Sequence, residues 1–290
     1  MLDAFTSARV EVSSATINLR CGGKGPPLLL LHGYPETHVM WHKIAPALAE
    51  GHTVVCPDLR GYGDSSKPAG GEDHAAYAKR AMAADQVEVM RQLGFSRFQA
   101  AGHDRGARVL HRMCLDHPEA VERVALLDII PTATAFARLD KRLATYYYHW
   151  FFLIQPDGLP ERMIGRDPDF FLDRLLRSWG SGESAFAPEA VAEYRRCFRD
   201  PATIHATCED YRAGASIDLE HDAADSDQKV RCPLLVLWGK HGVVGRLYDP
   251  LTIWRDKAIH VEGEALPCGH FLPEEAPQAT LASLQAFLAR

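Results

Sequence analysis

Residues 99–109 read QAAGHDRGARV. The small apolar run FQAAG (98–102) breaks at a turn and gives way to a charged stretch of helical character, the mark of a buried strand that turns sharply into a helix. At the corner stands Asp104, with Arg105 and Arg108 in the first helical turn. GHDRG fits the spacing glycine-x-nucleophile-x-glycine, in which a tight strand-to-helix turn holds a reactive side chain above the carboxyl edge of a sheet. Gly102 and Gly106 permit the close packing such a turn needs. The plainer alternative is an aspartate that merely caps the helix. The surroundings of the turn decide between them.

Working outward, short apolar runs alternate with helical stretches. Strands are predicted at 9–12, 16–20, LLLLH (28–32), HTVVCPD (52–58), 98–102, RVALLD ending at Asp128, PLLVLWG (233–239) and AIHVEG. Helices are predicted within 37–49, over 76–93, from the Asp104 turn to about His117, near 248–257 and over 274–290. Such alternation implies an α/β fold, a mostly parallel sheet covered on both faces. From about 131 to 224 the chain is aromatic-rich and helical with no β-run, which predicts an inserted helical cap. The expected division is core 1–131, cap 132–224 and core 225–290.

Bulk composition narrows the function classes. A hydrophobic content of 47% and a charged content of 24% suit a soluble globular enzyme and argue against disorder. A net charge of −6 gives no reason to expect nucleic acid, and means that an anion site must be made locally. The seven cysteines are scattered and form no CxxC pair, so they read as reduced thiols in a cytoplasmic protein without structural zinc. The longest greasy run, YYYHWFFLI (146–154), falls far short of the roughly 20 residues that cross a bilayer. No cofactor is implied.

The remaining catalytic parts fall where this fold would put them. LLLLH runs into HGYP (32–35), a turn able to aim a main-chain N–H at the nucleophile as part of an oxyanion hole. His270, in CGHFLPEEAP, follows the last strand signal, so chain order runs nucleophile, acid, histidine. For the acid, KHGVVGRLY after PLLVLWG offers no carboxylate before Asp249, whereas RVALLD ends in Asp128. Asp128 is therefore the expected partner that orients His270.

An aspartate nucleophile selects the chemistry. Serine displacing a group from sp³ carbon would leave an ether; aspartate leaves an ester, which activated water can cleave. The turn thus points to displacement at alkyl carbon, with alkyl halides or epoxides as substrates. Arg105 and Arg108 lie on one helix face at a helix amino end, where two cations oppose the dipole. A substrate carboxylate would offset them, and arginine suits bidentate carboxylate binding. The competing reading is a structural ion pair with cap acids such as Asp169 or Asp173. His149, Trp150 and Tyr211 carry N–H and O–H groups fit to surround a departing halide, although aromatic residues in such a helix commonly serve as core.

Taken in order, HGYPETHVMW, DLRGYGDSSKP, GHDRGARV, LLDIIPT, YHWFFLIQP, DPDFFL, SWG, CEDYRAGA and GHFLPEEAP make the chain resemble the fluoroacetate dehalogenases, the haloacetate-dehalogenase branch of the α/β-hydrolases, over nearly its whole length. The resemblance implies Asp104 as nucleophile, His270 as base and Asp128 as acid. It gives the substrate carboxylate to Arg105 and Arg108 and the halide to His149, Trp150 and Tyr211, with Trp179 as a lid residue enclosing the substrate. The main-chain N–H groups of Tyr34 and Arg105 would receive the oxyanion; the family commonly has phenylalanine at the position of Tyr34. The resemblance also suggests a homodimer. The expected reaction is hydrolysis of small anionic 2-haloacids, fluoroacetate foremost. The rivals are an epoxide hydrolase, for which Tyr146, Tyr147, Tyr148 and Tyr211 are candidate acids, and a non-catalytic ligand-binding member of the fold.

Overall fold

In a computed structural model that describes residues 1–180 and 185–290, eight strands form one sheet. They are β1 (Thr6–Val12), β2 (Ala15–Gly22), β3 (Pro27–Leu31), β4 (Thr53–Pro57), β5 (Phe98–His103), β6 (Val121–Leu127), β7 (Leu234–Gly239) and β8 (Val261–Leu266). The spatial order is β1-β2-β4-β3-β5-β6-β7-β8; β1, β2 and β4 pair antiparallel, and all pairs from β4 to β8 are parallel. Central β5 is buried at all six positions and β3 at its last four, because helices cover both faces of a parallel sheet.

This order positions the site. The chain leaves β3 toward β4 on one side and leaves β5 toward β6 on the other, so the carboxyl ends of β3 and β5 flank the point where the winding reverses. Ligand crevices in open α/β sheets form at that point. Tyr34 follows β3, and Asp104 opens the helix Asp104–Asp116 directly after β5.

Between β6 and β7 the described residues form only helices, from Thr132–Ala137 to Ile217–Ala224, a helical insert over the sheet's carboxyl edge. Proline begins several of them, at 168, 188 and 201, where the missing N–H loses no helical bond. Asp167 and Asp200 cap two of these helices through their side chains. Asp116 and Asp225 join the insert to the core through Arg80 and Arg112.

Several local expectations shift. The segment 37–49 holds only a 3-10 turn, His38–Trp41, and the short helix Ala45–Leu48. The last strand lies three residues beyond AIHVEG's start, because Ala258 makes a lone bridge with Val230 and Ile259 is exposed. The C-terminal helix is split into Leu272–Glu275 and Pro277–Leu288, since Pro277 lacks the N–H that would continue the first segment.

Candidate active site

Asp104 sits at φ +43°, a left-handed conformation rare outside glycine. Strain of about 1–3 kcal/mol at such a residue persists only where the surroundings enforce it. Here they do: a Cβ on Gly106 would lie 2.4 Å from the His32 carbonyl oxygen, and one on Gly33 would lie 2.7 Å from the Asp104 Cβ. The two glycines let the helix start and the turn after β3 close around the aspartate. The Tyr34 N–H donates to Asp104 Oδ2 at 3.2 Å, so the main chain of HGYP does face the carboxylate.

His270 Nδ1 lies 2.6 Å from Asp128 Oδ2, and Asp128 Oδ1 accepts the Gly239 N–H at 2.9 Å. Asp128, at the end of β6, also has positive φ, +53°. The His270 backbone is pinned at both ends: its N–H donates to the Trp179 carbonyl at 2.9 Å, and its carbonyl lies 2.8 Å from His103 Nε2. Burial disfavours a charged His270, but the hydrogen bond and charge of Asp128 outweigh it and raise the imidazole above its ordinary value. Burial likewise pushes Asp104 up, yet the charges of His270 and Arg108 prevail and hold its carboxyl below the usual range. Asp104 is thus an ionised, desolvated carboxylate.

The two arginines differ. Arg105 is engaged by Asp210: Nε donates to Oδ2 at 2.8 Å, and Nη2 donates to Oδ1 at 2.7 Å and to the Asp210 carbonyl at 2.6 Å. Lys79 and the Tyr62 hydroxyl bind the same carboxylate. An ion pair with Asp169 or Asp173 was the competing expectation; those acids instead bind Arg199 and Arg195 within the insert. Arg108 donates through Nη1 to Ile130 O and Thr132 Oγ1, while its buried Nε has no partner among the described residues. Burial lowers its pKa, partly offset by Asp104, as for a cation short of counter-charge. Among the described residues, Arg105 Nη1 and Arg108 Nη2 likewise make no hydrogen bond.

A cavity of about 100 Å³ reaches Asp104, Asp128 and His270, with His149, Trp150 and Trp179 among its walls. The His149 ring lies 4.3 Å from that of Trp179 and 5.6 Å from that of Tyr211. Burial holds His149 neutral, its pKa pushed down to about 3, and its Nδ1 has no partner among the described residues. Trp150 lies under the Arg108 guanidinium at 4.8 Å and Tyr211 under that of Arg105 at 4.3 Å. Arg105, Arg108 and Tyr211 are not among the walls of this cavity, although each lies near enough to Asp104 to interact with it electrostatically.

Sequence reasoning missed Asp210, although CEDYRAGA contains it: residues 206–214 are buried all round, so a charge there demands a partner. It also missed His103 and Glu36, whose side chains approach to 3.4 Å beside the triad. Tyr147, in the cavity wall, was weighed only as an epoxide acid.

The Tyr34 hydroxyl is buried without a partner among the described residues, its ring packed edge-on to Phe198 and Tyr211. A buried unpaired hydroxyl costs about 1–3 kcal/mol. Tyr34→Phe is therefore expected to raise the calorimetric melting temperature by about 2 °C. Its main-chain N–H stays in place, so catalysis should change less than about two-fold. A drop in melting temperature would show that the hydroxyl has a partner in solution.

A strained aspartate at the winding reversal, a histidine–carboxylate pair above it and a helical insert closing the cavity define a hydrolase of the α/β type. The family model for the alpha/beta hydrolase fold matches residues 26–277, and the chain belongs to that family. It is a homologue of the fluoroacetate dehalogenase of a Burkholderia species, 49% identical over 289 residues that cover 99% of this chain and 95% of the relative. The soluble epoxide hydrolase of Corynebacterium sp. (strain C12) is more distant, at 36% identity over 100% and 99% of the two chains. A crystal structure described as an alpha/beta hydrolase from Nostoc sp PCC 7120 superposes with a TM-score of 0.99 at 59% identity, each chain fully covered. Among the described residues no helix is long and apolar enough to cross a membrane.

Proposed function

We propose that the protein hydrolyses small 2-haloacids, fluoroacetate foremost, through a covalent ester on Asp104. The observation that carries this reading is Arg108: a buried guanidinium whose Nε has no partner among the described residues, close enough to Asp104 to help hold it ionised. A substrate carboxylate supplies the missing counter-charge and places the α-carbon before Asp104. In-line attack breaks the carbon–halogen bond as the Asp104 ester forms. The halide leaves toward His149, Trp150 and Tyr211, whose N–H and O–H groups bind it more strongly as charge develops. His149 donates as a neutral imidazole. His270 then takes a proton from water, which attacks the ester carbonyl while the N–H groups of Tyr34 and Arg105 hold the oxyanion. Glycolate, halide and a proton are released, and Asp104 is regenerated.

A second reading, epoxide hydrolysis, draws support from Tyr147, which lines the cavity, and from the 36% identical relative named for that activity. Halide release from fluoroacetate and chloroacetate, set beside loss of styrene oxide, separates the two. One turnover in oxygen-18 water with excess enzyme tests the ester: the first glycolate should carry unlabelled oxygen from Asp104, and full labelling would exclude the covalent route. The reading includes a cytoplasmic homodimer, supported by seven free thiols and by exposed Met163 and Phe170 on the insert.

The pH profile has a definite sign. His270 works neutral and its pKa is raised, so activity is lost as pH falls through a value above the ordinary 6.5. Asp104 is held ionised well below that point and adds no limb there. Initial rates between pH 4 and 9 should show one acid limb of unit slope; a profile flat down to pH 5 would remove His270 as base.

A further inference from the structure

Among the described residues the cavity walls contain no carboxylate apart from Asp104 and Asp128. Its rim is different. There the loop after β7 and the helix Val243–Leu247 meet the insert at Tyr146, and the exposed rim residues include His241 and Arg246. Arg246 makes no ion pair or side-chain hydrogen bond within the described residues, unlike Arg195, Arg196 and Arg199 on the insert, which are held by acids. The nearby Asp249 is engaged by Thr252, from both its N–H and its hydroxyl. A chain of net charge −6 repels an anion at a distance, so approach to the inner arginines depends on local positive charge.

We propose that Arg246 is a substrate-capture residue, an outer anion subsite that receives the carboxylate at the mouth before Arg108 and Arg105 take it over. This rests on the haloacid reading of the site. Arg246 does not touch the reacting atoms, so its effect falls on capture and not on chemistry. A rim cation alters association rate and salt dependence more than the strength of the final complex.

The test compares wild type with Arg246→Gln and Arg246→Lys, using fluoroacetate at NaCl concentrations from low to near-physiological. Arg246→Gln should lower kcat/KM about five- to ten-fold at low salt, leave kcat within about two-fold and flatten the salt dependence. Arg246→Lys should behave nearly as wild type. A second readout needs no turnover: Trp150 and Trp179 line the cavity, so iodide should quench tryptophan fluorescence less in Arg246→Gln, with neutral acrylamide unaffected. Equal iodide quenching in both proteins, or a loss confined to kcat, overturns the proposal. Wild type that releases no halide from any haloacid while the iodide difference persists overturns the haloacid reading alone.

Discussion

His270→Asn is expected to alkylate itself once and then stop. Asp104 needs no base to attack, because it is already ionised and the Tyr34 N–H orients it. Hydrolysis of the resulting ester does need one. Removing the imidazole should therefore lower kcat by about 10⁴-fold or more while leaving the first displacement intact. Intact-protein mass spectrometry after incubation with chloroacetate should find one added carboxymethyl group, and peptide mapping should place it on Asp104. The asparagine side chain can still donate to Asp128, so the fold should hold. A folded variant that binds chloroacetate but gains no mass would mean that no ester forms at the turn.

Asp210→Ala should give the largest loss of stability of any single change at the site. The carboxylate is fully buried and serves Arg105, Lys79 and Tyr62 together. Its removal leaves two cations buried without that partner, and breaking a buried pair from one side costs about 3–5 kcal/mol. Urea unfolding followed by tryptophan fluorescence should show that loss. Asp210→Asn, which keeps the volume and one acceptor, should lose less. A cost under about 1 kcal/mol in the alanine variant would mean that Arg105 and Lys79 reach water or another acid.

What the sequence made legible was local. The nucleophile turn could be read because its geometry needs glycine at fixed offsets, and the buried strands because a doubly covered sheet leaves no polar face. Asp128 could be located because the stretch after β7 lacks an acid. The partner of Arg105 could not be read: Asp210 lies 105 residues away, and its approach depends on how the insert docks. Asp169 and Asp173 were plausible only as charges; their helix turns them toward Arg195 and Arg199 of its neighbour. Glu36 follows β3 and His103 ends β5, and they meet only because those strands are adjacent.

The carboxylate that holds His270 comes from the end of β6, which frees the segment after the next strand, β7. The stretch from Lys240 to Arg246 carries no part of the proton-handling apparatus, yet it forms one lip of the opening. Its charge and bulk can therefore drift, or be redesigned, with the reacting groups left undisturbed. Under the proposed mechanism, ligand admission and bond-breaking are separable traits, written in different parts of the chain.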